Sequence, residues 1–181
     1  MVSHLTRTVR TCKLNLPINE GQGSTIHDSS GYGNHGTIYG ATWVNGSYGY
    51  GLYFDGTDDY VDCGSGSSLD ITDEITLMAW FYLTEPITSQ TTDWSEWCGK
   101  PGAWEFSSRK LNGRVLFYID DVDGTRHALY TNTVFGESTW YYIVGTYNGT
   151  EQKVYVNGEQ DATPISWSKQ IKDSSDIKVY I

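Results

Sequence analysis

Between residues 140 and 147 the chain reads Trp-Tyr-Tyr-Ile-Val-Gly-Thr-Tyr, aromatic and β-branched positions with a single glycine. That run suits a pleated strand buried on both faces better than it suits a helix. Polar residues then interrupt twice, at Asn148-Gly149 and Asn157-Gly158, and both pairs tolerate the positive φ of a tight hairpin turn. They flank a short strand at 153–156, so three consecutive antiparallel strands are expected. Elsewhere, short apolar and aromatic runs predict strands at 11–18, 37–44, 51–55, 59–63, 75–83, 94–100, 104–109, 115–120 and 127–131, nearly all separated by turn-forming residues. No 3.6-residue apolar repeat persists for three turns, and the best helical candidate is one turn at 67–69. Gly, Ser, Asn and Asp dominate residues 19–36, which predicts a shaped loop. The polar stretch 84–93, with Pro86, predicts a protruding loop, and residues 1–11 a loose, flexible N-terminal arm ahead of one domain at 12–181.

Composition agrees with an all-β chain and narrows its partners. The 181 residues include 20 Gly and only 4 Pro, with 14 Tyr, 7 Trp and 5 Phe, so turn formers and strand formers are both abundant. A single domain of this size buries about 70% of its extended surface in one core, and needs no metal merely to fold. Lys plus Arg total 12 against 22 Asp plus Glu, a formal net charge of -10, which disfavours nucleic acid and anionic membrane. Neutral sugars, cations and basic proteins stay open as partners. Cys12, Cys63 and Cys98 lack both the spacing of a zinc site and the density of a disulfide scaffold, and three cysteines allow at most one internal bridge. No stretch approaches the roughly 20 apolar residues of a membrane helix, which excludes insertion of that kind, and residues 1–11 lack the apolar core of a signal peptide.

Many short strands with Gly-rich turns point to a sandwich or jelly roll. Five pieces sharpen this by their order: Leu16-Pro17-Ile18-Asn19-Glu20-Gly21, Asp28-Ser29-Ser30-Gly31-Tyr32-Gly33-Asn34-His35-Gly36, Phe54-Asp55-Gly56-Thr57-Asp58-Asp59-Tyr60-Val61, Ile75-Thr76-Leu77-Met78-Ala79-Trp80, and the paired strands with their Asn-Gly turn at 140–158. Together they resemble a laminin-G-like, concanavalin A-like jelly roll across residues 12–181. The resemblance implies an antiparallel two-sheet jelly-roll sandwich. Members of that family usually continue past the strand at 179–181 into a further one, and this sequence stops first. A domain lacking its last strand would leave an edge or an open groove, which a partner chain could fill by strand addition or a divergent closure could cover.

Two Gly-rich acidic loops supply the oxygen ligands calcium prefers. Asp28 and Asn34 in the first, with Asp55, Asp58 and Asp59 in the second, are the metal candidates, and the resemblance implies that calcium often sits at this edge of the sandwich. The competing role for such residues is to bond their own backbone in turns. Sugar binding needs flat rings to cover pyranose C-H faces, with polar groups beside them. Trp94, Trp97 and Trp104 suit that role, with Glu96, Lys100, Glu105 and Arg109 as hydrogen-bond partners, although Trp97 and Trp104 would equally pack between sheets. Trp80 and Trp140 stand in strongly apolar strands and read as core, while Trp43 and Trp167 are undecided. Hydrolysis is disfavoured, because the Glu-x-Asp-x-x-Glu-like run of related glucan hydrolases is absent. The densest acidic group, Asp120, Asp121 and Asp123, reads as a hairpin cap, and the four histidines show no metal-ligand spacing. Two sequons, Asn45-Gly46-Ser47 and Asn148-Gly149-Thr150, overlap turns.

These readings converge on a non-catalytic carbohydrate-binding or adhesion module, extracellular or surface-exposed, with calcium in a structural role. Its partner would be a glycan or a cell-surface or extracellular protein. The alternative is a structural or interaction module of a larger surface, appendage or virion assembly, without a sugar ligand and with a partner chain at an open sheet edge.

Overall fold

In a computed structural model, the chain is described at residues 12–46, 49–90 and 92–181; the expected arm at 1–11 lies outside these. The strands in chain order are β1 (Thr25–Ile26), β2 (Gly36–Tyr39), β3 (Thr42–Gly46), β4 (Gly49–Tyr53), β5 (Tyr60–Asp62), β6 (Ile75–Tyr82), β7 (Trp94–Lys100), β8 (Trp104–Arg109), β9 (Arg114–Asp120), β10 (Arg126–Tyr130), β11 (Trp140–Tyr147), β12 (Glu151–Val156), β13 (Glu159–Gln160) and β14 (Ile165–Ser166). Their pairings are antiparallel.

The second sheet runs β6-β11-β12-β13, with β14 also paired to β12. The first sheet consists of two parts, β1-β2-β5 and β7-β8-β9-β10, joined by residues 179–181. Val61 and Cys63 donate to the Ile181 and Val179 carbonyls at 2.7 and 2.9 Å, while Gly99 and Tyr180 exchange bonds at 2.9 Å each way. Backbone hydrogen bonds therefore run across the seam on both sides of residues 179–181. Gly99 is required where three backbones crowd together, since a Cβ there would come within 2.4 Å of the Trp104 carbonyl. The hairpin β3–β4 stands apart as a two-stranded unit.

The core fills the space between the sheets. Val115, Phe117 and Ile119 of β9 face Ile143, Tyr147 and Val154 of the opposite sheet, all buried. Gly145 lies directly over Phe117, where a Cβ would meet the ring at 2.6 Å. Gln152 is buried between the sheets, its Nε2 donating to the Phe117 carbonyl at 2.8 Å and its Oε1 accepting from Trp167 Nε1 at 3.0 Å. Trp167 itself is stacked between His127 and Tyr147, each 3.9 Å away between ring centres.

Most expected strands form, and the expected turns have identifiable geometry. Asn157 and Gly158 both take positive φ, at 51° and 91°, which matches a two-residue hairpin whose twist follows that of its strands. At the other turn, Asn148 Oδ1 accepts from the Thr150 and Glu151 amides at 3.0 and 2.9 Å. The helical turn forms as a 3-10 turn at Ser67–Leu69. Four expectations change. The 37–44 strand breaks at Gly40 and Ala41, where Ala41 N turns back to the Tyr39 carbonyl at 2.9 Å. Residues 12–18 form no strand, although Asn15 bonds to Asp28 and Ser29. The stretch 84–93 does not simply protrude, because Ile87–Ser89 forms a 3-10 turn that buries Ile87. Strand β11 is fully buried on one face only, at Ile143, Gly145 and Tyr147, while the alternate residues Tyr142, Val144 and Thr146 are half-buried. Cys12, Cys63 and Cys98 are all free thiols, and burial pushes Cys63 and Cys98 up to about 12.

Because Phe117 is enclosed and cannot retreat, Gly145→Ala should destabilise the domain by about 1–3 kcal/mol. In a thermal melt this appears as a Tm lower by roughly 3–10 °C; an unchanged Tm would show that the sheets can separate to admit a methyl group.

Candidate ligand-binding face

Neighbouring strands of the first sheet carry most of the residues expected to meet a ligand. Trp94 and Glu96 point outward on β7, and Arg109 is the cross-strand partner of Trp94. Trp94 is 46% exposed, with the Arg109 guanidinium 5.1 Å from its ring centre. The Arg109 Nε is buried without a hydrogen-bond partner. These three residues share one face.

The other two tryptophans do not join them. Plain alternation along β7 from the outward Trp94 and Glu96 turns Trp97 to the inner face, ahead of the register shift that brings Cys98 opposite Phe106. There its ring centre lies 4.6 Å from Phe81 and 6.2 Å from Phe135, and its Nε1 donates to Ser108 Oγ at 3.0 Å. Trp104 is 5% exposed and belongs to the core. Neither ring offers a face to a sugar, so the expected platform of three tryptophans reduces to Trp94. Lys100 is also withdrawn, buried and paired with Asp70 at 2.6 Å.

Further along this face a polar network is covered over. Glu105 is 2% exposed; Ser107 Oγ donates to its carboxylate, and the Tyr118 hydroxyl bonds to it as well. Arg126 lies 3.8 Å over the Tyr118 ring centre and forms a two-point pair with Asp120 at 2.8 and 3.0 Å. Burial pushes the Glu105 carboxyl up from 4.5 to about 7; the Ser107 and Tyr118 bonds oppose this, and the Glu96 charge adds to it. The cleft that Glu96, Glu105, Gly99 and Tyr180 help to line measures about 30 Å³, room for about one water and not a pyranose.

The acidic loops separate by role. Asp28 is saturated by the amides of Asn15, Ser30 and Asn34 and by the Ser30 hydroxyl, at 2.7–2.9 Å. Asn34 donates from Nδ2 to the Lys13 carbonyl and to Ser68 Oγ. Both residues hold the loop together, which spends the oxygens of Asp28 on amides and leaves them poorly suited to a cation. Asp55, Asp58 and Asp59 do converge, each with a carboxylate oxygen within 4.8 Å of the others, while Asp55 and Asp59 also organise the turn by accepting from the Thr57 and Asp55 amides. In the 120–123 group, Asp121 caps its turn by accepting from the Asp123 and Thr125 amides at 2.9 Å each. His127 beside it holds its carboxyl down at about 2.

Two aromatic surfaces escaped the sequence. On the first sheet, Tyr39 stacks on Tyr60 at 4.7 Å and Tyr60 meets Tyr180 edge-on at 5.9 Å; the row exists only once β2, β5 and residues 179–181 are aligned. Beside it, Asn34, Thr37, Asp62 and Lys178 line an open recess of about 390 Å³. On the second sheet, Trp80 and Trp140 are not core. Trp80 is 63% exposed, and Met78, Tyr82 and Trp140 are exposed beside it, because Leu77, Ala79 and Phe81 occupy the inward positions of β6.

A laminin-G-type family model, described as the concanavalin A-like lectin/glucanases superfamily, matches residues 55–181. The chain belongs to that superfamily. No curated protein matches it. Among solved structures sharing this jelly-roll fold, the botulinum neurotoxin serotype G binding domain superposes with a TM-score of 0.68 at 15% identity, over 93% of this chain and 45% of that one. The serotype D ligand binding domain, in complex with N-acetylneuraminic acid, gives 0.64 at 15% identity, over 92% and 45%. The binding domain of Paraclostridial Mosquitocidal Protein 1 gives 0.63 at 13% identity, over 92% and 46%. The likeness is one of fold, and the chain spans a little under half the length of each. Among the described residues no helix is long and apolar enough to cross a membrane.

Burial holds Glu105 where the stability of this chain should depend on pH. Between pH 4.5 and about 7 the folded chain keeps a proton that the unfolded chain has released. The contribution is therefore fully present below the unfolded pKa and is lost as pH rises through the folded one, on the order of 3 kcal/mol. Glu105→Gln, neutral at every pH, should melt higher than the native chain at pH 8 and near it at pH 5. A difference independent of pH would give Glu105 an ordinary carboxylate.

Proposed function

We propose that this domain is a non-catalytic carbohydrate-binding or adhesion module, extracellular or surface-exposed, which meets its ligand at Trp94, Glu96 and Arg109. The observation that carries this reading is Trp94, an indole open to solvent beside a guanidinium with an unpartnered Nε. An aromatic ring covers the apolar face of a pyranose while adjacent polar groups fix its hydroxyls. The fold neighbours support it, since they are binding domains and one holds N-acetylneuraminic acid. Hydrolysis would need two carboxyls flanking a scissile bond, whereas the cleft beside Glu96 and Glu105 is water-sized.

Calcium belongs to the same reading, as a brace for the 55–59 turn held by Asp55, Asp58 and Asp59, because a hard cation gathers carboxylate oxygens. A second reading rests on the other sheet. There Met78, Trp80, Tyr82 and Trp140 are exposed on and beside β6, the edge strand of its sheet among the described residues. An uncovered edge with an apolar face suits an interaction module of a larger assembly.

A glycan array separates the two readings. The native domain should bind a defined glycan subset, and Trp94→Ala should abolish binding while shifting Tm by no more than about 1 °C, as for a surface substitution. No binding by a folded domain, together with self-association or partner capture lost in Trp80→Ser, would replace the sugar reading with the assembly one. For the metal, calcium at a hundredfold excess over Kd should stabilise the folded domain by about 2.7 kcal/mol, seen as a raised Tm that EDTA reverses; superimposable melts would remove it.

A further inference from the structure

The β8–β9 hairpin concentrates positive charge in an acidic chain. Of 12 Lys plus Arg, three fall within residues 109–114: Arg109, Lys110 and Arg114. Lys100, Arg126, Lys153, Lys169 and Lys178 are each paired with a carboxylate. Among the described residues, the three hairpin cations have no such pair.

Pairing register puts Trp94 opposite Arg109 and Arg109 opposite Arg114, so the three side chains form a row across adjacent strands. Strands lie about 4.8 Å apart, so a row across three of them is roughly 10 Å long, enough for a sugar ring together with a charged substituent. Like charges directly opposite one another are unfavourable, and an anion held between Arg109 and Arg114 would relieve that repulsion. The turn is rigid: Gly113 N donates to the Arg109 carbonyl at 3.1 Å, and Asn112 Oδ1 accepts from Arg114 N at 3.1 Å. The buried, unpartnered Arg109 Nε is a donor without an acceptor in the same row. Two carboxylates lie close in sequence. Asp93 precedes Trp94 and accepts from Lys110 N through its carbonyl, and Glu96 sits two positions further from the hairpin tip; neither pairs with the three cations.

We propose that Arg109, Lys110 and Arg114, with Trp94 as the ring platform, recognise an anionic group carried on a sugar, a carboxylate or a sulfate ester. The inference rests on the carbohydrate reading of this face and narrows it to acidic glycans. A guanidinium presents forked donors that match such groups. The formal net charge of -10 opposes long polyanions and anionic membranes at a distance, whereas a local basic row beside an indole fits one charged sugar.

The test compares sialylated, uronate-bearing and sulfated glycans with their desialylated, carboxyl-reduced and desulfated parents, by array and then titration calorimetry at physiological salt. Acidic glycans should bind at least tenfold more tightly than their neutral parents, with affinity falling as salt rises. The three acidic sets show which anion is preferred. Arg114→Gln should weaken acidic-glycan binding at least fivefold with Tm retained, while Lys172→Gln, at the far end of β9, should not. Equal affinity for acidic and neutral partners would overturn the acidic preference and leave the carbohydrate reading standing. Absence of binding to any glycan would overturn both. Binding confined to phosphatidylserine vesicles would do the same, assigning the hairpin and its 74% exposed Leu111 to a lipid surface.

Discussion

The spacing of the two sheets is set where the Phe117 ring meets the bare backbone of Gly145. At that contact the sheets are as close as a ring and a peptide allow, and the remaining core follows from it. Phe106 packs beside Phe117 at 5.4 Å between ring centres, and Gln152 spans the same gap to the Phe117 carbonyl. A buried amide is tolerated only when its donors and acceptors are met; Gln152 meets that condition through Phe117 on one side and Trp167 on the other. Dense packing at the centre leaves polar and aromatic residues to distinguish the two outer faces.

Strand identity was largely legible from the chain, and orientation was not. Asn157-Gly158 and the β-rich runs on either side of it state their geometry locally, through residues that tolerate positive φ and side chains that fill a pleat. In β6 every position but Thr76 is apolar or aromatic, so nothing in the sequence marks Leu77, Ala79 and Phe81 as inward and Met78, Trp80 and Tyr82 as outward. Only the register with β11 decides it. Trp97 was legible by a simpler rule: it stands three positions from the exposed Trp94, and in a strand an odd step turns a side chain to the opposite face.

The candidate site shows the same division. Trp94, Glu96 and Arg109 could be nominated by residue type because they lie within a short span of sequence. The tyrosine row could not, since Tyr39, Tyr60 and Tyr180 come from distant segments. Asp28 looked like a metal ligand because an acidic residue among glycines has the right chemistry for two roles, and only its full set of amide donors distinguishes a loop clasp from a cation site. Glu105 looked like an ordinary polar neighbour of Trp104, while its burial under its own sheet face makes it a titrating group near neutrality.

Residues 179–181 form the seam between β5 and β7, and this fixes a sequence of events in time. The two parts of the first sheet come from distant stretches of chain, and they cannot be zipped together until the ribosome has released residue 181 from its exit tunnel. Before then a nascent chain carries two bare strand edges facing one another, the kind of surface that pairs wrongly with neighbouring chains. Closure through so long a loop is slow compared with local hairpin formation, so the hairpins are expected to form before the seam that joins them.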